Sequence, residues 1–364
     1  MIPLYVPKPN TDMYPKVTLF VYTYNHERFI QQAIEGAFAQ DYPNLEIILS
    51  DDCSADSTFD IMQRMAERYS GPYKIVLNRN EHNLGITNHL NKIMTIGHGD
   101  WFVLCAGDDV STHDRVSRIM KAVSQCQTIL AVNTAYNTID EDGRITGYCG
   151  FKKDNLVALG ATGAWRRTLF DYFGPITHQT VGEDEVIPVR AILLGKLLFM
   201  NYPTILYRHH THSISSPTEV THISAIQHMK SLHLSRIASL SQRLDDLEMA
   251  YRRKIITNNN YEYLHLIYKK EIVSLEKLIN EKTIIEKIYQ SSVYERFKYL
   301  RGIRLGKSVP AVKRLKTFLL SFKTIYILNH KIKRSRILSE FIADDIVIDM
   351  DYFVNKEHGL MMWR

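Results

Sequence analysis

Short apolar runs bounded by polar turns recur along the first half of the chain, each followed by a stretch with helical spacing. Val17 to Tyr22, Leu45 to Ser50, Tyr73 to Leu77, Trp101 to Ala106 and Ile129 to Tyr136 are rich in branched and aromatic residues and read as strands. Between them, Glu27 to Gln40, Ser54 to Tyr69, Gly85 to Ile96 and Thr112 to Ser124 carry a helical pattern, with Ser or Asp in the opening segment Ser54-Ala55-Asp56-Ser57 as the N-cap of the second helix. Asp140-Glu141-Asp142-Gly143 reads as a hairpin-like turn. This βα rhythm, sustained through residue 201, predicts an α/β domain with a mainly parallel sheet covered by helices. After about residue 220 the texture changes. His222 to Tyr299 repeats Leu, Ile, Lys and Glu at helical spacing with few Gly or Pro, which predicts two or three long helices. The expected organisation is therefore an α/β domain over residues 1–220 and a mostly helical region over residues 221–364.

Two of the predicted strands end in paired carboxylates. Asp51-Asp52 closes the Leu45 run, and Asp108-Asp109 follows the Trp101 run after a single Gly107. Ligands of open α/β sheets bind at the carboxyl ends of strands. Short acidic side chains there suit a hard divalent cation, which takes oxygen ligands and brings phosphate with it. The pattern points to a phosphorylated, metal-bound substrate. A lone Asp-Asp is commonly a helix cap or a solvated turn, so the order of the surrounding motifs has to decide between these readings.

The composition, with 45% hydrophobic and 23% charged residues, is that of an ordinary soluble protein. No apolar stretch approaches the roughly 20 residues needed to cross a bilayer, and the proline-rich start Met1 to Pro9 does not read as a signal peptide. A cytoplasmic location is expected. Cys53, Cys105, Cys126 and Cys149 form no CxxC pair and read as reduced, small hydrophobes. The net charge of +6 conceals an asymmetry: Arg296 to Arg336 holds 13 Lys or Arg and no Asp or Glu, so the remainder of the chain carries −7.

Val17-Thr18-Leu19-Phe20-Val21-Tyr22-Thr23-Tyr24-Asn25, Gln40-Asp41-Tyr42-Pro43-Asn44-Leu45, Asp51-Asp52-Cys53-Ser54-Ala55-Asp56-Ser57-Thr58, Asn83-Leu84-Gly85 and Gly107-Asp108-Asp109 occur in the order and spacing of one known family. Residues 15 to 215 thereby resemble a family 2 glycosyltransferase of the GT-A fold, of the kind that assembles bacterial surface polysaccharides. The resemblance implies an inverting enzyme that moves a hexosyl or N-acetylhexosaminyl group from a nucleoside diphosphate sugar, UDP foremost, to a glycan or lipid-linked glycan, using Mn²⁺ or Mg²⁺.

The same resemblance assigns roles. Tyr22 and Tyr24 offer stacking faces to the nucleotide base, Asp52 bonds the base edge, and Asn83 and Asp108 belong to the donor site. Asp109 carries the metal. Within Tyr207-Arg208-His209-His210-Thr211-His212-Ser213, His210 matches the histidine that approaches metal and diphosphate. Gly182-Glu183-Asp184-Glu185 matches the downstream acidic motif, with Asp184 as general base for the acceptor hydroxyl and Glu183 on the acceptor side. Trp165, after the small-residue loop Gly160 to Ala164, matches an acceptor platform, although a core position accounts for a tryptophan equally well. Cys53 stands where the family has Gly or Asn, which is tolerated if that turn needs no positive φ. The metal motif is Asp-Asp-Val where the family has Asp-x-Asp, which leaves Asp109 as the principal ligand.

Two rival classes remain. A sugar nucleotidyltransferase would carry a Gly-rich loop followed by Arg and Lys near the N-terminus, and Thr23-Tyr24-Asn25-His26-Glu27 supplies neither. A catalytically silent glycan-binding or scaffold subunit is disfavoured by intact Asp52, Asp109 and Asp184. The basic segment mixes Phe318, Leu319, Leu320, Phe322, Ile325 and Tyr326 with Lys and Arg, as interfacial helices do. It predicts peripheral attachment to an anionic membrane surface, on the inner face of the cytoplasmic membrane, in preference to nucleic acid. The helices after residue 220 are also candidates for homo-oligomer contacts.

Overall fold

The computed structural model describes residues 14–152, 156–179, 182–210, 222–290 and 346–350. The strands are β1 (Val17–Thr23), β2 (Leu45–Asp51), β3 (Lys74–Arg79), β4 (Trp101–Ala106), β5 (Val110–Ser111), β6 (Ile129–Ile139), β7 (Ile145–Cys149), β8 (Gly163–Arg166), β9 (Lys196–Arg208) and β10 (Ile346–Ile348). The helices are α1 (Ile30–Phe38), α2 (Thr58–Arg68), α3 (Gly85–Ile96), α4 (Arg115–Ser124), α5 (Thr168–Phe173), α6 (Glu183–Leu194), α7 (His222–Arg252) and α8 (Asn258–Gln290). Among the described residues the strands form one ten-stranded sheet, in the order β10-β9-β6-β8-β4-β1-β2-β3, with β5 beside β9 and β7 beside β6. The pairs β3–β2, β2–β1, β1–β4 and β6–β9 are parallel, whereas β8 runs antiparallel between β4 and β6. This mixed, mainly parallel sheet with flanking helices is what the GT-A resemblance implies, and a helical C-terminal region follows it.

The central strands form because both their faces are covered. Every residue of β2 is buried, as are six of the seven in β1, whereas β3 at the sheet edge is half-exposed throughout its middle. Val17, Leu19 and Val21 pack with Ile30, Ala33 and Ile34 of α1 in the main core. The alternating residues turn the other way, where Phe20 meets Phe102 edge-on at 6.4 Å and Trp165 at 5.8 Å. The second helix starts at Thr58, where the capping acceptor is Asp56, whose Oδ1 takes the Thr58 amide at 3.0 Å.

The chain divides into two compact units. The first takes in Met1–His210, Ala238–Tyr268 and Ile342–Arg364, so parts of α7 and α8 belong with the sheet. There the guanidinium of Arg190 on α6 grips Asp246 with two bonds, at 2.7 and 3.0 Å, both side chains being almost wholly buried. The second unit, Thr211–Ile237 with Lys269–Phe341, includes the remaining turns of α7 and α8, tied by Arg236 to Glu271 at 2.9 Å and Lys230 to Glu286 at 2.8 Å. No helix among the described residues is long and apolar enough to cross a membrane. The basic segment 296–336 lies outside the described residues.

Candidate active site

The turn after β4 is pinned from below. The Gly107 amide donates to the Tyr22 carbonyl at 3.0 Å, and the Asp109 amide returns to Ala106 O at 3.2 Å, so both carboxylates stand at the joined ends of β1 and β4. Asp108 keeps some exposure; its Oδ2 lies 3.1 Å from His210 Nε2 and 3.9 Å from His26 Nε2. Burial alone would raise the Asp108 pKa, but His210 and His26 outweigh it and hold it below the usual range. Asp109 is 1% exposed. Its Oδ1 accepts the Arg208 amide at 2.8 Å, while its Oδ2 has no hydrogen-bond partner among the described residues. Burial first, and the Asp108 charge second, push the Asp109 pKa well above the ordinary carboxylate value.

The turn after β2 is wired differently. Asp52 Oδ1 accepts Asn80 Nδ2 and the Leu84 amide, both at 2.8 Å, and its Oδ2 accepts the Gly85 amide at 3.0 Å. Asn83 Oδ1 shares that Gly85 amide at 2.9 Å, so Asn83 reaches the start of α3 as well. Asp51 is consumed within its own turn by the Ser54 amide and hydroxyl. Here one expectation is corrected. Cys53 adopts φ +63°, so the turn does require the left-handed region, and a side chain with Cβ stands where Gly or Asn would be relaxed.

At the opposite side of the site, α6 opens with three acids. Glu183 is buried, and its carboxylate fills the space that a Cβ on Gly160 would occupy. Asp184 retains part of its surface. Burial, then Glu183, then Glu185 raise its pKa well above the usual value, against the Gly160 amide and Arg243. Arg243 lies 3.8 Å from Glu185 and donates to the Glu185 carbonyl at 2.6 Å. Tyr22 joins the two acid groups: burial, followed by the charges of Glu183, Asp108, Asp184 and Asp109, raises its phenol pKa. Tyr24, by contrast, is 45% exposed.

Trp165 requires a second correction. It is 2% exposed, paired in the sheet with Phe102 and Ala131, and packed on Phe20 and Phe170, with centroids 5.8 and 6.5 Å away. No face is left for a sugar, because β8 threads between β4 and β6 and carries the indole into the core.

Two arginines escape a reading of the sequence. Arg208, 1% exposed, donates from Nε to the Asp108 carbonyl at 2.9 Å, and from Nη1 to the carbonyls of Asp140 and Glu141 at 3.0 Å. Its Nη2 reaches Gln32 at 2.5 Å and its guanidinium lies 4.9 Å from the Phe29 ring centroid. One cation thus clamps the acid turn to α1 and to the Asp140–Gly143 turn. The signal was its place beside His209 and His210 at a strand end. Buried Arg115 bridges Ser111 Oγ at 3.1 Å and Ala161 O at 2.9 Å, joining β5, which follows the acid turn, to the segment before β8.

Among the described residues no three His, Cys, Asp or Glu side chains surround a common metal position. A cation that arrives with a diphosphate needs only one or two carboxylates, since phosphate and water oxygens complete its shell. The unpartnered Asp109 Oδ2, with Asp108 adjacent, fits that requirement.

Residues 18–169 match the family model described as Glycosyl transferase family 2. A "Putative glycosyltransferase EpsE" from Bacillus subtilis is 32% identical over 129 residues, 35% of this chain and 46% of the relative. The "Succinoglycan biosynthesis protein ExoO" of Rhizobium meliloti is 29% identical over 136 residues, covering 37% of each. The chain spans about half the length of the curated relatives it matches. Among solved structures, S. aureus TarS 1-349 in complex with UDP-GlcNAc aligns with a TM-score of 0.48 at 14% identity, over 88% of this chain and 93% of that one.

Proposed function

Residues 18–169 belong to glycosyl transferase family 2, and from that premise we propose that the chain transfers a hexosyl or N-acetylhexosaminyl group from a UDP-sugar to a glycan or lipid-linked glycan acceptor, with inversion. The observation that carries this reading is the bare, buried Oδ2 of Asp109 beside Asp108 at the joined ends of β1 and β4, with a second acid group, Glu183-Asp184, whose charges are also felt at the Tyr22 phenol. Donor and acceptor chemistry need such an arrangement, with one acid group to face the diphosphate and another to face the nucleophile.

Asp109, with Asp108 and His210 beside it, would hold a divalent cation, Mn²⁺ or Mg²⁺, whose chemistry when bound is to offset charge on the leaving diphosphate. Arg208 fixes the turn that presents both carboxylates. Tyr24 is accessible for stacking on the base, and Asp52, after its three protein donors, keeps one lone-pair direction for the base edge. Asp184 accepts the proton of the attacking acceptor hydroxyl, and its raised pKa keeps it basic enough for that task. With one base and no enzyme nucleophile, the reaction is a single displacement and inverts the anomeric carbon. The basic segment 296–336 supports a peripheral location on the inner membrane face, where lipid-linked acceptors present their glycans.

A panel of UDP-glucose, UDP-N-acetylglucosamine, UDP-galactose and GDP-mannose tests the reading, with hydrolysis and binding measured in Mn²⁺ and in EDTA. Metal-dependent turnover of a UDP-sugar is expected. Binding of no nucleotide sugar, or equal turnover in EDTA, contradicts it.

A further inference from the structure

With Trp165 in the core, the acceptor side of the site lacks the aromatic surface expected of it. The structure supplies another. β6 and β9 run parallel, but their register slips around Ala135, opposite the segment that contains Pro203. Beyond the slip, Tyr136 pairs with Ile205 and Thr138 with Tyr207, so Tyr136 and Tyr207 share one face of the sheet. The intervening positions, Leu206 and Arg208, turn to the other face, where Arg208 meets Phe29 and Gln32 beside α1. Tyr22 likewise points away from the face that Val21 packs against α1. Tyr136 and Tyr207 therefore lie on the Tyr22 side of the sheet, the side that holds Glu183 and Asp184.

The rings form a ladder. The centroids of Tyr136 and Tyr207 are 5.4 Å apart at 59°, and those of Tyr207 and His209 are 5.3 Å apart at 78°. Both tyrosines are half-buried, and His209 is exposed at the rim. Tyr207 and His209 flank Arg208, whose amide holds Asp109. The Asp109 charge is also felt at the Tyr136 phenol, which burial, Cys149 and Tyr207 push well above its ordinary pKa, so that it stays a neutral hydrogen-bonding group.

We propose that Tyr136 and Tyr207, with His209 at the rim, form the platform on which a pyranose ring of the acceptor stacks. This rests on the glycosyltransferase reading and assigns its acceptor subsite. The chemistry is that of a neutral carbohydrate. The C–H face of a pyranose is apolar and edge-positive, complementary to the negative face of an aromatic ring, while its hydroxyls stay toward polar neighbours such as Thr138 on the same face.

Saturation-transfer NMR on the full chain tests it directly, with the methyl β-glycosides of glucose, galactose, mannose and N-acetylglucosamine as probes. Transfer to the ring protons of at least one glycoside is expected in the native protein and in Asp109→Ala. Tyr207→Leu and Tyr136→Leu should lower it roughly threefold to tenfold, the value of an aromatic contact, while Tyr207→Phe retains it. A separate titration with UDP and Mn²⁺ reports on the donor site. Normal UDP binding in the leucine variants shows that they are folded, and loss of UDP binding in the native protein would overturn the glycosyltransferase reading while leaving the glycoside signals readable. Absence of transfer to every glycoside, or equal transfer in the native and leucine proteins, would overturn the platform.

Discussion

Asp51-Asp52 and Asp108-Asp109 are the same dipeptide at the carboxyl ends of β2 and β4, the two strands that flank β1, yet their oxygens are treated in opposite ways. Asp51 and Asp52 are buried and supplied with donors: Ser54 for the first, and Asn80, Leu84 and Gly85 for the second. Asp109 is just as buried, but only its Oδ1 has a donor. A carboxylate that already accepts three hydrogen bonds is a structural anchor, here for the start of α3. One that keeps a buried oxygen bare has been desolvated without compensation, which is costly unless a cation arrives to supply it. The comparison separates an acid pair whose oxygens are largely supplied by protein donors from one that keeps a bare buried oxygen.

The largest expected effect follows from the bare oxygen. If Asp109 holds the cation that offsets charge on the leaving diphosphate, an interaction worth several kcal/mol, Asp109→Ala should lower transfer by about 10³-fold or more. Steady-state turnover of a UDP-sugar in saturating Mn²⁺ measures it. Turnover near the native rate would mean that Asp109 serves only to hold its turn in place.

Next in size is Asp184. Asp184→Asn keeps the shape but cannot take a proton, so turnover should drop by about 10²–10⁴-fold with UDP affinity unchanged. The sign of its pH dependence is fixed by the raised pKa. The base works only when deprotonated, so activity should be lost as pH falls through a value above the ordinary carboxylate range. Glu183→Gln removes a neighbouring charge that raises that pKa, and the acid limb should move to lower pH. A limb that stays in place separates Glu183 from the base.

How much of this could be read from sequence follows from the same physics. β4 and α3 have the expected bounds, Trp101–Ala106 and Gly85–Ile96, because the first is an uninterrupted apolar run and the second is amphipathic. β8 and β9 left no clear pattern. β8 has four residues, and β9 contains Asn201 and Pro203 where its register slips against β6. The positions of the acid pairs were legible because carboxylates at strand ends are local features. Which oxygens are satisfied was not, because the donors to Asp52 come from amides 32 and 33 residues further on and the donor to Asp109 from 99 residues further on. Trp165 was misread for the same reason, since its burial depends on which strands it is threaded between.

A smaller effect concerns the turn itself. Cys53 holds φ +63° between the satisfied acids and α2. Cys53→Gly removes the Cβ clash at some cost in chain entropy, and should stabilise the fold by about 0.5–1 kcal/mol in urea unfolding without changing activity. A loss of stability would show that the sulfur contact to Glu81 O matters more than the backbone strain.

The central claim, that one acid pair is satisfied by the protein and the other awaits a cation, is tested most directly by thermal unfolding of Asp52→Asn and Asp109→Asn, each with and without UDP and Mn²⁺. In Asp52→Asn an amide group replaces one acceptor of the α3 donors, so about 1–3 kcal/mol should be lost in both conditions. In Asp109→Asn the metal-free protein should be no less stable than native, since a buried carboxyl group whose Oδ2 has no donor has gone. The stabilisation by UDP and Mn²⁺, about 2.7 kcal/mol at a hundredfold excess over Kd in the native protein, should then vanish. An Asp109→Asn protein that melts early without metal and still gains the full ligand shift would contradict the account.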